Sequence, residues 1–280
     1  MLLKWAGGKS WLTKNHPYVF HSKLPDINQR LKHPSIKYKK YIDPFLGGGA
    51  VFKYLKPDNA ILSDINGELI SFYQQLQLNP EALYYLVVEH FKIHSEKQYY
   101  ITRKNNPKDL DSINVAARFL YLNYTCYNGI YRVNQKNQFN VPIGDKTDFH
   151  YSLEDFIRHS KTLENAEICN QDFRQTISQS CRGDLMYIDP PYTNQSNKDT
   201  FDKYSAKVFT WNDQVELSQL LALKKKDGVN IIISNINEKE IINLYPESNG
   251  WNHKALDRAN IMAYRPEGKK YREILISNIE

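Results

Sequence analysis

Asp189-Pro190-Pro191-Tyr192 directly follows an apolar run, Leu185 to Ile188, and its residue types suit one demanding reaction. An exocyclic amine on adenine or cytosine is a poor nucleophile, because its lone pair is delocalised into the ring. A carboxylate and a backbone carbonyl that accept its two N–H bonds draw the nitrogen toward tetrahedral geometry and free that pair. Asp189 and the carbonyl of Pro190 are such acceptors, and the consecutive prolines stiffen their direction. Tyr192 offers a face on which a base can stack. A base inside a duplex is out of reach, so it has to be flipped into the site. No covalent enzyme intermediate is needed and no cysteine lies near the motif, which argues against methylation at cytosine carbon 5 by a thiolate. The competing reading of the tetrapeptide is a proline-rich turn with a locally capping Asp, so its surroundings must decide.

Two glycine-rich turns lie upstream. Asp43-Pro44-Phe45-Leu46-Gly47-Gly48-Gly49 stands at the carboxyl end of an apolar run, where doubly wound sheets bind ligands and glycines admit them close to the backbone. Asp64 lies 17 residues beyond Gly47, near the spacing at which an acid binds ribose hydroxyls. A tight turn followed by an Asp that caps the next helix is the alternative. The spacing departs from G-x-G-x-x-G, which favours an adenosine-type ligand over a dinucleotide. Ala6-Gly7-Gly8-Lys9-Ser10 has the tail of a phosphate-binding loop, but Leu3 stands where that motif needs glycine.

The elements that must position these residues follow from local patterns. Strands are expected at 38–42, 60–62, 185–188, 229–233 and 274–276, with helices at 50–55, 68–76 and 212–226. From Asn79-Pro80-Glu81, a helix start, the texture changes. Helical patterns cover 80–91 and 112–124, and Tyr131 to Asn134 and Phe139 to Val141 flank a polar turn that suggests a β-hairpin. The fold class is α/β, a doubly wound, mostly parallel sheet interrupted by a mainly helical insertion. Residues 1–69 and 148–280 form the sheet domain and 70–147 the insertion.

The 280 residues are 41% hydrophobic, which suffices for a core and excludes wholesale disorder. No apolar run reaches the roughly 18 residues of a membrane span, and no signal peptide is recognisable at the start. The three cysteines, too far apart for a zinc motif, suit a reducing cytoplasm. The net charge of +6 is uneven, since residues 1–60 hold eleven Lys/Arg against three acids, a net of +8. Such a segment either faces a polyanion or is a solvated surface.

Taken together, the chain resembles the Dam-type family of DNA adenine-N6 methyltransferases. The resemblance rests on Lys4-Trp5-Ala6-Gly7-Gly8-Lys9, Asp43 to Gly49, Ser63-Asp64-Ile65-Asn66, Tyr127-Asn128-Gly129-Ile130-Tyr131-Arg132-Val133-Asn134, Phe139-Asn140-Val141-Pro142 and Asp189-Pro190-Pro191-Tyr192, in family order. It implies a Rossmann-like methyltransferase fold, S-adenosylmethionine as cofactor and double-stranded DNA as partner. Trp5 and Lys9 would hold the cofactor's amino-acid end and Asp64 its ribose. Phe45, Gly47, Asp172 and Phe173 would line its pocket, with Asp189 between cofactor and flipped base and Asp189, Pro190 and Tyr192 as the catalytic set. The insertion matches a target-recognition domain, in which Tyr127 enters the duplex, Asn128 and Asn134 lie near DNA and Arg132 reads guanine. The usual target of such enzymes is GATC. A cytoplasmic monomer without metal is expected. Asn137 replaces a common glycine in the hairpin turn, Phe201, Tyr204 and Phe209 keep an aromatic spacing after the catalytic motif, and Ala259 to Arg265 replaces a Ser/Asn-rich loop. N4-cytosine methylation and a catalytically silent DNA-binding module are the alternatives.

Overall fold

The structure is a computed structural model that describes residues 2–5, 7–16, 20, 37–193, 209–258 and 271–279. Ala6, Phe201, Tyr204 and the segment 259–265 lie outside the described residues. Five parallel strands, β1 (Tyr41–Asp43), β2 (Ala60–Asp64), β3 (Ala166–Asn170), β4 (Leu185–Ile188) and β5 (Asn230–Ile236), join β6 (Asn252–Arg258) and β7 (Tyr271–Ser277) in the order β3-β2-β1-β4-β5-β7-β6. Strand β7 runs antiparallel to both of its neighbours.

The strands have this character because both faces of the sheet are covered. In β4, Leu185 and Tyr187 enter one core while Met186 and Ile188 enter the other, so all four are buried. That explains an uninterrupted apolar run rather than an alternating one. On one face lie α8 (Phe173–Ser178), α9 (Trp211–Lys226) and α10 (Lys239–Leu244), through Ile177, Leu217, Leu221 and Ile241. The other face carries α1 (Ser10–Asn15), α2 (Ala50–Leu55), α3 (Gly67–Leu78), α4 (Pro80–Lys92), α6 (Ser112–Thr125) and α7 (Leu153–Leu163). Helix α5 (Glu96–Lys104) stands outside this layer, against α6.

The crossover from β2 to β3 thus contains α3 to α7 and the turns between them. Leu83 and Val87 of α4 and Ala116 and Phe119 of α6 share one core with Leu62 of β2. A separate small cluster, Tyr99, Tyr121, Leu122, Cys126, Phe139 and Val141, supports the turns that follow α6. The expected hairpin is narrow, with a bridge between Val133 and Phe139 and no extended strand on either side. Asn137, at its tip, has φ 58°, the left-handed conformation that asparagine tolerates best after glycine.

Among the described residues, the basic side chains of the first sixty positions do not share one face. Lys37, Lys39 and Lys40 precede β1, at the amino edge of the parallel strands, whereas the two glycine turns lie at the carboxyl edge. Lys9 is buried. Lys23, Arg30 and Lys32 lie outside the described residues. Strand order, not sequence proximity, decides where each lysine emerges. Among the described residues, no helix is long and apolar enough to cross a membrane, and no group of three or more His, Cys, Asp or Glu side chains could hold a metal ion.

Candidate active site

The carboxyl ends of β1, β2 and β4 open into a cleft of about 720 Å³. Its floor starts at Asp43, which closes β1. The Asp43 carboxylate accepts hydrogen bonds from the Tyr41 hydroxyl, at 2.9 Å, and the Phe45 N–H, at 3.2 Å. Burial raises its pKa to about 7, and the nearby carboxylates Asp189 and Asp64 add to that rise, while the two hydrogen bonds oppose it. Between about pH 4 and 7 the folded protein therefore holds a proton that the unfolded chain has lost, and stability falls as pH rises through that window. Asp43→Asn, which keeps one acceptor and removes the charge, is expected to gain on the order of a few kcal/mol at pH 8 relative to pH 5. Thermal denaturation of both proteins at the two pH values checks this. An Asn variant whose melting temperature differs from the parent's by the same amount at both would refute it.

Asp64 ties the two ligand motifs together. One of its carboxylate oxygens accepts the Gly47 N–H at 3.0 Å, and the other accepts the Asn66 N–H at 2.9 Å. Burial raises its pKa in spite of these bonds. Asn66, and not Asp64, caps α3, accepting from the N–H groups of Glu68 and Leu69. Gly47 has φ 46°, and a Cβ there would stand 2.7 Å from Nε1 of Trp5. Both facts demand glycine, and together they show how closely Trp5 lies over the turn.

The Asp189-Pro190-Pro191-Tyr192 tetrapeptide meets the N-terminal glycine turn. The Lys9 ammonium lies 2.9 Å from Asp189 and 3.6 Å from Glu273, and it donates hydrogen bonds to the Tyr192 hydroxyl, at 2.8 Å, and the Gly7 carbonyl, at 3.1 Å. Burial alone would lower its pKa, but Asp189, Tyr192 and Glu273 outweigh that and raise it above the ordinary lysine value. The lysine that looked like part of a phosphate loop is therefore committed to carboxylates. Glu273, only 3% exposed, is a site residue the sequence reading missed. It stands on β7, which no motif marks, and a single acid within an apolar strand was its one signal.

Phe45 and Phe173 stack at 5.4 Å and 26°, with Phe209 edge-on to both. Asp172 caps α8, accepting from the Arg174 N–H, and also pairs with the Arg174 guanidinium. Arg174 reaches on to Asp213 and Glu216 of α9 and lies over the Phe173 ring. Among the described residues, the cleft is thus lined by aromatic rings, glycine backbone, five carboxylates (Asp43, Asp64, Asp172, Asp189 and Asp213) and two cations, Lys9 and Arg174. An acidic, aromatic-walled cleft suits a cationic nucleoside such as S-adenosylmethionine, whose sulfonium and purine ask for those two features. Cys126, Cys169 and Cys181 do not line it, and burial raises the Cys126 and Cys169 thiols to about 11.

The expected DNA-contacting residues gather outside the cleft. Tyr127 is half exposed, and Asn128 is exposed with φ 56°. The Arg132 Nε donates to Asn140 across the hairpin at 2.8 Å. Asn134 is occupied in building the turn, its side chain accepting from the Lys136 and Gln138 N–H groups and donating to Gln138.

A family model described as D12 class N6 adenine-specific DNA methyltransferase matches residues 5–260. The Type II methyltransferase M1.LlaDCHI of Lactococcus lactis subsp. cremoris is 32% identical over 98% of this chain and 94% of its own length. The Type II methyltransferase M.MjaIII of Methanocaldococcus jannaschii is 35% identical over 83% of each chain. The DNA adenine methylase of Escherichia coli (strain K12) is 29% identical over 83% of this chain and 79% of its own.

Proposed function

Because the chain belongs to the D12 class of N6 adenine-specific DNA methyltransferases, we propose that the cleft at the carboxyl ends of β1, β2 and β4 is the seat of its methyl transfer. The protein is an adenine-specific DNA methyltransferase with S-adenosylmethionine as methyl donor. N4-cytosine methylation and a silent binding module give way to that assignment. When bound, the cofactor supplies an electrophilic methyl group on a sulfonium. Asp189 and the Pro190 carbonyl accept the N–H bonds of the flipped adenine, Tyr192 stacks on its ring, and Lys9 steadies Asp189. Trp5 and Lys9 hold the cofactor's amino-acid end, Asp64 its ribose, and Phe45, Gly47, Asp172 and Phe173 its adenine side. The observation that carries this reading is the Lys9–Asp189 pair in a cleft lined by carboxylates, aromatic rings and glycine backbone, which suits a cationic nucleoside.

Residues 70–147 act as the target-recognition domain. Tyr127 enters the duplex, Asn128 and Asn134 approach the backbone, and Arg132 leaves Asn140 to read a guanine. The target is GATC or a related short site, and the protein works as a cytoplasmic monomer on double-stranded DNA. Methylation-aware sequencing of DNA exposed to the protein tests this, with 6-methyladenine confined to one short motif as the expected result. Scattered methyladenine would overturn the site-specific reading. In the same assay Arg132→Ala should relax the motif at one position, worth about 1–3 kcal/mol of discrimination. Equal weakening at every sequence would make Arg132 a phosphate contact instead.

A further inference from the structure

The ring of Tyr131 belongs to two places at once. It lines the cleft and stacks on Trp5 at 5.8 Å and 23°, and Trp5 in turn covers Gly47. It also sits one residue before Arg132, and its other neighbours are Phe119 of α6 and Phe139 of the hairpin's second arm. Its hydroxyl donates to Glu68 at 3.0 Å. Glu68 is anchored by the buried Arg118 at 2.6 Å, whose remaining N–H groups donate to the carbonyls of Thr102 and Arg103. A second fastening runs beside the first. The buried Asn123 accepts the Lys4 N–H at 3.0 Å and donates to the carbonyls of Lys4 and Gly129, at 2.8 and 3.3 Å. The segment that carries Trp5 and the turn that carries Tyr127 to Arg132 are thus joined by one clamp and one stacked pair.

We propose that Tyr131 is a positioning residue shared by the cofactor cleft and the DNA-facing turn, so that filling the cleft and docking DNA favour one another through this side chain. The proposal rests on the reading that residues 127–134 meet DNA. A molecule seated against Gly47 and Trp5 restrains the ring stacked behind Trp5, and that ring's backbone is the turn. Whichever ligand arrives first bears the cost of ordering the shared pair, and the second binds to elements already fixed. The effect must be reciprocal.

The test measures four affinities: a duplex containing GATC with and without S-adenosylhomocysteine, and S-adenosylhomocysteine with and without that duplex. In the parent protein both comparisons should give the same factor, about 5-fold or more. Tyr131→Leu should bring the factor close to one while the cofactor-free protein still binds the duplex. Tyr131→Phe, which keeps the stack and loses only the Glu68 bond, should retain most of it. A parent factor of one, or an unchanged factor in Tyr131→Leu, would overturn the proposal. Should Tyr131→Leu fail to fold, hydrogen exchange on the parent decides. Amides 127–134 should slow on adding S-adenosylhomocysteine alone, and no slowing overturns the idea. Tyr127→Ala separates the underlying reading. If it leaves duplex affinity unchanged, the turn does not meet DNA and the proposal falls with that reading. A clear loss of affinity in Tyr127→Ala, beside an unchanged factor in Tyr131→Leu, sinks the proposal alone.

Discussion

Asp189→Ala is expected to slow methyl transfer on the order of 10³-fold while leaving duplex binding largely intact. The adenine amine reacts only as its lone pair leaves the ring, so an acceptor that strengthens as positive charge develops on nitrogen acts chiefly in the transition state. Loss of one such preorganised partner costs about 10²–10³ in rate, and here the removal also leaves the Lys9 ammonium, 2.9 Å from Asp189, aimed at the space the amine must enter. A cation there opposes the developing charge, which places the loss at the upper end, about 4 kcal/mol of barrier. Asp189→Asn should fare little better, since its amide offers a neutral acceptor and turns two N–H bonds into a region that needs none. Single-turnover transfer of a labelled methyl group, set beside duplex affinity, checks both variants. A loss of affinity that accounts for the whole loss of rate would make Asp189 a binding residue.

Strands β2, β4 and β5 were legible in the sequence, whereas β1, expected at 38–42, is Tyr41–Asp43. Strand β4 matches its expected bounds of 185–188, because burial on both faces leaves an apolar run with no polar interruption. Helix α2, expected at 50–55, is bounded by left-handed residues at Gly49 and Lys56, and the glycine triplet announced the first of these. What escaped lies at the edges. Among the described residues, strand β3 pairs only with β2, and it buries only Ile168 among its five residues, so it shows no apolar run. Strand β6, among the described residues, pairs only with β7, and it takes its place through that pairing rather than through its own composition. Strand β5 runs three residues past its expected end, because residues 232–236 pair with β7, a partner about forty residues away in the chain.

The same division applies to the site. Motifs pointed to Asp189, Asp64 and Lys9, but not to the contact between Lys9 and Asp189, because the two lie 180 positions apart in the chain. Spacing pairs Asp64 with Gly47, but the hydrogen bond from the Gly47 N–H to the Asp64 carboxylate is visible only in the fold. Helix α8 was missed although its capping box, Asp172 with Gln175, is local and readable. Asp172, which the family resemblance places in the cofactor pocket, is also the residue that caps this helix. Glu273 and the Glu68–Tyr131 bond depend on strand order and helix packing, and no local pattern encodes either.

Lys9→Met should do more than weaken cofactor binding. The ammonium stands between two carboxylates, Asp189 and Glu273, and its removal from a buried ion pair costs on the order of 3–5 kcal/mol of stability. The pKa of Lys9 is raised on folding, so its contribution to stability is complete below the unfolded lysine value near 10.5 and is lost only as pH rises through the still higher folded value. Between about pH 6 and 9 that contribution is constant, and Lys9 itself imposes no pH dependence on the parent enzyme. In the variant the two carboxylates face each other without the charge that separated them, and one of them takes a proton more readily. A protonated Asp189 donates where the adenine amine needs an acceptor. The rate of transfer at saturating cofactor and DNA should therefore fall at low pH in Lys9→Met and recover as pH rises, its acid limb displaced upward from the parent's. A variant whose rate profile overlays the parent's, with only the Michaelis constant for S-adenosylmethionine raised, would confine Lys9 to holding the cofactor and leave Asp189 to act without it.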